Sequence, residues 1–133
     1  ECQVLMMRLK SDLLEILLGS AKGDLSGIKP VWHNDAALSV VMATKGYPGS
    51  YNNGSEIGSL EGLESEDVKI FHAGTLQDDR SLIANGGRVL NVTAMASSIS
   101  EARKKAYEVV EKIDWNEGFW RTDIGKKATK DIK

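Results

Sequence analysis

The sequence predicts an α+β fold, with a small antiparallel β-sheet or partial barrel and helices packed against it. Apolar residues recur at helical spacing near the start of the chain and again after residue 98. Between these segments lie short runs rich in valine and isoleucine, separated by turns that contain glycine, asparagine or proline. The chain has 133 residues, of which 41% are hydrophobic, and this is enough for one domain with a core.

Residues 2–18 are predicted to form the first helix. Charged side chains lie between five apolar residues at helical spacing, which are Leu5, Leu9, Leu13, Ile16 and Leu17. Further apolar side chains widen this face beyond a single stripe, so we expect the helix to be covered on two sides. Four glycine and proline residues between positions 19 and 30 are expected to end the helix and form a linker.

Four segments are predicted to be strands. Residues 36–43 read as a buried strand, and residues 68–74 alternate between two faces. The short segments 81–84 and 88–94 flank Asn85-Gly86, a pair typical of a tight hairpin turn. We therefore expect these last two strands to pair with each other.

The C-terminal third is predicted to contain a helix, an edge strand and a last helix. Ser98 and Glu101 have the spacing of a capping box at the start of the first of these helices. Its predicted apolar face comprises Ile99, Ala102, Ala106, Val109, Val110 and Ile113. Residues 119–122 are predicted to add the edge strand, and Asp123 to cap the last helix. That helix is predicted to direct Ile124, Ala128 and Ile132 inward.

Charge and residue content argue against several classes of protein. The net charge of −2 disfavours a general nucleic-acid binder, which needs a basic surface. No apolar run approaches the roughly 20 residues of a membrane span. Cys2 is the only cysteine, so the chain forms no internal disulfide, and we expect a reducing compartment such as the cytoplasm. Because the chain begins at Glu1 within helix-like sequence, we interpret it as a piece of a longer protein.

Arg88 follows two glycines at the point where a predicted turn becomes a strand. Gly86 favours the turn, and Gly87 allows backbone or ligand to approach closely. An arginine held there is a candidate clamp for a phosphate or carboxylate. A solvated arginine with an acidic neighbour explains the same pattern.

Arg121 lies just before the helix predicted to start at Asp123. Helix N-termini present free amides and the positive end of the dipole, so an arginine there favours an anion site. A simple capped helix is the alternative explanation of the same pattern, and the local sequence favours it. If Arg88 and Arg121 converge in the fold, they can bind one phosphate together.

Lys45 lies in a turn built from glycine and proline and is a candidate substrate contact. A solvated loop lysine is the alternative, and a carrier lysine at a hairpin tip is a third interpretation. The methionines expected on both sides of a carrier lysine are absent. His72 lies within an apolar strand and is interpreted as a core histidine rather than a catalytic base.

Six blocks of sequence resemble a known family. They are Val40-Val41-Met42-Ala43, Gly46-Tyr47-Pro48-Gly49, Phe71-His72-Ala73-Gly74-Thr75, Gly86-Gly87-Arg88-Val89-Leu90, Val92-Thr93-Ala94, and Arg121 with Asp123-Ile124-Gly125 and Ala128. In this order they resemble the phosphoribosylamine–glycine ligases, also called glycinamide ribonucleotide synthetases. The first residues, Glu1-Cys2-Gln3 and then Leu9-Lys10-Ser11-Asp12-Leu13, resemble the closing helix of the ATP-grasp domain of that family.

The resemblance implies the C-terminal part of an ATP-dependent ligase of purine biosynthesis. Such an enzyme joins glycine to 5-phosphoribosylamine and yields glycinamide ribonucleotide, ADP and phosphate. Residues 1–20 would then be the terminal helix of the ATP-grasp domain, residues 21–35 a linker, and residues 36–133 the C-terminal α+β domain. The partner implied is the ATP-grasp core of the same parent chain. Mg or Mn with ATP would bind upstream of Glu1, so this segment would hold no metal, cofactor or catalytic residue.

The resemblance also implies roles for individual residues. In related ATP-grasp enzymes of purine synthesis, a basic residue after a glycine and an arginine before a late helix bind the ribose phosphate of the substrate. Arg88 and Arg121 occupy the corresponding places here. The substrate-side loops would contribute Lys45, Gly46, Tyr47, Gly86 and Gly87. A non-catalytic docking or carrier-like α+β domain is the alternative function.

Overall fold

The computed structural model describes residues 1–129. Within these residues the chain forms three helices and seven strands. The helices are α1 (Cys2–Arg8), α2 (Leu13–Lys22) and α3 (Ile99–Val110). The strands are β1 (Ala36–Thr44), β2 (Glu56–Ile57), β3 (Val68–His72), β4 (Thr75–Asp78), β5 (Ser81–Ala84), β6 (Arg88–Ala96) and β7 (Gly118–Trp120). Two antiparallel sheets with packed helices confirm the predicted α+β class.

The larger sheet has the strand order β3-β6-β1-β7, and its neighbouring strands all run antiparallel. Its centre is the pair of β1 and β6, which runs from Ala36 opposite Ala96 to Ala43 opposite Arg88. Valine and threonine side chains are frequent in both strands and favour this extended backbone. The predicted strand 36–43 is therefore confirmed, and it forms the middle of the sheet.

Helix α3 packs against β1 and β6 and closes the core. As predicted, Ser98 caps the helix, because its Oγ accepts a hydrogen bond from the backbone N of Glu101 at 3.2 Å. Alanines at 102 and 106 are fully buried and let the helix approach the sheet closely. The larger side chains of this core that are fully buried include Val40, Met42, Val89, Leu90, Val92 and Val110.

The prediction of one continuous helix over residues 2–18 is wrong, because this segment forms two helices, α1 and α2, with a break between them. Leu9 has extended backbone and forms a β-bridge with Trp32. The carbonyl of Arg8 accepts a hydrogen bond from the backbone N of His33 at 2.8 Å. Asp12 then caps α2 by accepting from the backbone N of Leu14 at 2.8 Å. Pairing with the distant segment therefore replaces the helical hydrogen bonds at the break, and helical periodicity continues across it without revealing it.

The apolar side chains of α2 are largely open to solvent in this chain. Leu14 is 70% exposed, and Leu17 and Leu18 are 55% and 50% exposed. Gly19 is the only buried residue of the helix. The helix was predicted to be covered on two sides, but residues 1–129 do not cover its leucines in this way.

The predicted hairpin of residues 81–84 with 88–94 is also wrong. Strand β5 pairs with β2 and β4 in a second sheet, whereas β6 pairs with β1 and β3. Asn85-Gly86 therefore links two sheets, and the backbone N of Asn85 donates to the carbonyl of Gly74 at 2.7 Å. The hairpin that does form joins β4 and β5 through Asp79, which has a φ of +45°.

The edge strand near the C-terminus is confirmed as β7, which pairs with β1. The prediction that a helix follows it is wrong for residues 122–129, because these residues form successive turns instead. One such turn is closed by the backbone N of Lys126, which donates to the carbonyl of Asp123 at 3.1 Å. Ile124 packs against the core, as expected. Ala128 was also predicted to face inward, but it is exposed. Ile132, the third side chain predicted to face inward, lies outside the described residues.

Candidate functional site

Glycine-rich turns predicted to face substrate lie together where β1 ends and β6 begins. The backbone N of Thr44 donates to the carbonyl of Gly87 at 2.9 Å, and its Oγ1 donates to the carbonyl of Gly86 at 2.8 Å. The ring of Tyr47 lies where a side chain on Gly87 would be, so a Cβ at that position would collide with the ring. The structure thus brings the turns at 44–47 and 86–87 into direct contact.

The turn after β1 has a backbone that requires glycine. Gly46 has a φ of +97°, and a Cβ there would also collide with the carbonyl of Ser50. The backbone N of Tyr47 donates to the carbonyl of Thr44 at 3.0 Å, and the peptide between Tyr47 and Pro48 is cis. These contacts give the loop one defined path over Gly87.

Lys45 ties the same turn to the segment before β7. Its backbone N donates to the carbonyl of Glu117 at 2.9 Å. Its Nζ donates to the carbonyl of Asn116 and lies 3.9 Å from the carboxylate of Glu117. Both side chains of this ion pair are 56% exposed, so the pair lies at the surface. The ammonium group thus anchors the loop, which is a structural role beside any contact with substrate.

Arg88 is the first residue of β6, and its side chain is exposed. Its carbonyl accepts a hydrogen bond from the backbone N of Gly74 at 3.0 Å, which fixes the strand at this point. None of the ion pairs among residues 1–129 includes its guanidinium. The acidic neighbour that would explain a simple surface arginine is therefore not found in the described part of the chain.

Arg121 directly follows β7 and binds Asp123 through two hydrogen bonds. Its Nε lies 2.8 Å from Oδ1, and its Nη2 lies 2.7 Å from Oδ2. This contact raises the pKa of Arg121 and holds the pKa of Asp123 below its ordinary value. A guanidinium has five N–H donors, so about three remain for another ligand. Arg121 was predicted to lie just before a helix N-terminus. Residues 122–129 form turns, so no helix begins there.

Arg88 begins β6 and Arg121 directly follows β7, and these two strands flank β1. Ala43 pairs with Arg88 on β6 and with Phe119 on β7. Two strand spacings separate Arg88 from Phe119, which places their Cα atoms about 10 Å apart. Trp120 pairs with Met42, and Arg121 follows it, so the backbone of Arg121 is displaced along the sheet from the level of Arg88.

An open hollow lies beside Arg121. The residues that line it include Arg121, Lys126 and Lys127 together with Asp123. Three basic residues against one acidic residue make this hollow suited to an anion. Arg88 is not among the residues that line it.

Two residues of α3 that were not predicted as site residues, Arg103 and Tyr107, hold this region. Arg103 donates from Nε to the carbonyl of Ile124 at 2.9 Å and from Nη2 to that of Thr122 at 2.6 Å. The hydroxyl of Tyr107 donates to the carbonyl of Arg121. The only signal in the sequence is their spacing of four residues, which places them next to each other on one helix face.

His72 is exposed, so its prediction as a core histidine is wrong. It ends β3, an edge strand of the larger sheet, and its Nδ1 lies 3.0 Å from Oγ1 of Thr75. Among residues 1–129, no three His, Cys, Asp or Glu side chains are grouped so that they could hold a metal ion. None of the helices in that range combines the length and apolar composition that a membrane span requires.

Comparison with known proteins decides the family. A family model described as phosphoribosylglycinamide synthetase, C domain, matches residues 37–127. The chain belongs to this family. The match runs from β1 through β7 into the turns that follow, so the sheet, α3 and both arginines of this synthetase C domain lie within it. The resemblance noted from the sequence blocks is confirmed.

Curated relatives of the synthetase C domain carry the same enzyme name. The chain is 52% identical over 128 residues to phosphoribosylamine–glycine ligase of Agrobacterium fabrum, and this match covers 96% of the chain and 30% of that protein. It is 53% identical over 131 residues to the chloroplastic phosphoribosylamine–glycine ligase of Arabidopsis thaliana, covering 96% of the chain and 25% of that protein. The chain therefore spans less than a third of these relatives.

A solved structure supports the same fold. The crystal structure of phosphoribosylamine–glycine ligase from Thermotoga maritima superposes on the synthetase C domain with a TM-score of 0.69. The two chains are 34% identical, and the match covers 84% of this chain and 27% of that one.

Proposed function

We propose that the chain is the C-terminal part of an ATP-dependent phosphoribosylamine–glycine ligase. The intact enzyme would join glycine to 5-phosphoribosylamine, giving glycinamide ribonucleotide, ADP and phosphate. The support is identity above 50% to two ligases over 96% of this chain. The nucleotide, with Mg or Mn, would bind to the remaining part of the parent enzyme.

In this proposal the C domain closes the sugar-phosphate side of the active site. Arg88 and Arg121 would bind the phosphate of phosphoribosylamine, since hydrogen bonds between a guanidinium and a phosphate are strengthened by charge. The observation that carries the assignment is that β6, which begins at Arg88, and β7, which Arg121 directly follows, both pair with β1. Binding there would hold the amine in place for attack on the activated glycine, and positioning of this kind lowers the barrier to reaction.

The turns beside Arg88 would form the wall of the same site. Glycines at 46, 86 and 87 keep the backbone free of side chains, so that a sugar phosphate can approach it closely. Tyr47 and Lys45 would complete this wall, and both are held by hydrogen bonds to neighbouring backbone.

We also propose the division of the chain into residues 1–20, 21–35 and 36–133. The first part would be the terminal helical segment of the ATP-grasp core, and the second a linker to the C domain. The exposed leucines of α2 support this division, because the core of the parent chain can cover them. A match to the family model that begins at residue 37 supports it too. The cytoplasmic location remains a prediction.

The phosphate role is tested in the intact ligase with Arg88→Ala and Arg121→Ala. Loss of a charged hydrogen bond costs about 1.5–3 kcal/mol, so the KM for phosphoribosylamine generated in the assay should rise roughly 10- to 100-fold. The KM values for ATP and glycine should stay within about twofold. Arg80→Ala is the matched control, because Arg80 is an exposed arginine in the turn between β4 and β5.

Equal effects of either substitution on all three substrates would contradict the phosphate assignment. A docking or carrier-like domain would instead leave the kinetics of both variants unchanged. Mass spectrometry that found an acyl group on Lys45 would support the carrier version of that alternative.

A further inference from the structure

The backbone around Arg121 is held from one direction, by the outer face of α3. Four side-chain hydrogen bonds reach residues 121–124. Three of them end on the carbonyls of Arg121, Thr122 and Ile124. The fourth is donated by the backbone N of Ile124 to the hydroxyl of Tyr107 at 3.2 Å. All four hydrogen bonds are made to backbone groups. They therefore fix the position of the Arg121 backbone independently of the conformation of its side chain.

The two residues that make these bonds also support each other. The guanidinium carbon of Arg103 lies 4.6 Å from the centre of the Tyr107 ring, a distance typical of a cation–π contact. The neighbouring Ala106 and Val110 are fully buried in the core. The hydrogen-bonding pair therefore stands on a helix that is fixed against β1 and β6.

On the basis of the proposed function, we propose that Arg103 and Tyr107 are positioning residues for the sugar phosphate. They hold residues 121–124 so that Arg121 presents its remaining donors to the same phosphate as Arg88. Neither would touch the substrate, because the Nε and Nη2 atoms of Arg103 and the hydroxyl of Tyr107 already face backbone groups. The position of Arg121 matters for binding, because a hydrogen bond weakens steeply as its distance and angle depart from the favoured geometry.

Tyr107→Phe in the intact ligase removes the hydroxyl and keeps the ring under Arg103. We expect the KM for phosphoribosylamine to rise about 3- to 10-fold, with kcat at saturating substrate and the KM for ATP unchanged. Arg103→Met should give the same split, and Arg103→Lys should restore part of the loss because lysine keeps one charged donor. Lys104→Ala is the control on the same helix, since this side chain is 78% exposed and pairs only with Glu108 among residues 1–129.

The decisive measurement is a double-mutant cycle with Arg121→Ala. If Tyr107 acts through Arg121, Tyr107→Phe should have no further effect on the KM once Arg121 is alanine. An equal effect in both backgrounds would overturn the positioning role while leaving the phosphate role of Arg121 intact. A normal KM for phosphoribosylamine in Arg121→Ala alone would overturn the proposed function first. Arg103→Met completes a second cycle, so the answer does not depend on the folding of one variant.

Discussion

Gly74 and Gly86 lie against each other where the two sheets join. A Cβ on Gly86 would come 3.1 Å from the Cα of Gly74, so neither position has room for a side chain. Gly74 lies where the chain passes from β3 to β4, and Gly86 lies where it passes from β5 to β6. Gly74 also holds Arg88 in place, because its backbone N–H donates to the Arg88 carbonyl.

Gly74→Ala should therefore destabilise the fold. The new Cβ would lie 2.7 Å from the carbonyl oxygen of Arg88 and 3.0 Å from the Cα of Gly86, and neither is a flexible side-chain end. We expect the free energy of unfolding to fall by about 1–3 kcal/mol, measured by urea denaturation. Gly27→Ala is the control, since a Cβ there meets nothing within 4 Å. Equal stability of the two variants would contradict the close packing of Gly74 against Gly86 and the Arg88 carbonyl.

Gly87→Ala should displace the ring of Tyr47 from the turn. Because the Cβ would overlap that ring, the aromatic NMR signals of Tyr47 should shift and the fold should lose stability. In a Tyr47→Ala background the same substitution should cost much less, since the clash has been removed. Unchanged signals of Tyr47 in Gly87→Ala would show that the ring does not lie over residue 87.

The ion pair of Arg121 with Asp123 should be visible in a titration. The pKa of the Asp123 carboxyl is lowered in the fold, chiefly by its hydrogen bond to Arg121. The pair therefore stabilises the turn above the unfolded pKa of about 3.9, and this stabilisation is lost as pH falls through the lower folded value. Carboxyl NMR should show the pKa of Asp123 rising toward its ordinary value in Arg121→Gln. The same pKa in both proteins would mean that the pair does not form in solution.

The chain by itself should not bind Mg–ATP with a micromolar Kd. It spans 30% of the Agrobacterium ligase, and the nucleotide site is proposed to lie in the remainder. Isothermal titration calorimetry of the isolated chain tests this directly, with the intact ligase as the positive control. Micromolar binding by the chain alone would place a nucleotide site within these 133 residues.

Several elements followed from local pattern, because their signals lie within one segment. The apolar run of residues 36–43 predicted the buried strand β1, and the capping residue Ser98 predicted the start of α3. The glycines beside Arg88 marked the turn before β6. The residue blocks around both arginines predicted the family, and the family match confirmed it.

The partners of several segments depended on contacts between residues far apart in the sequence. Leu9 leaves the helix to pair with Trp32, and β5 joins a different sheet from β6. Helical periodicity and an Asn-Gly pair describe only their own neighbourhood, so neither predicts such a partner. The turns after Arg121 were likewise decided by Arg103 and Tyr107, whose hydrogen bonds reach them from α3. The arginines that we propose to bind a phosphate could thus be selected from the sequence, whereas their placement beside β1 depends on hydrogen bonds between distant segments.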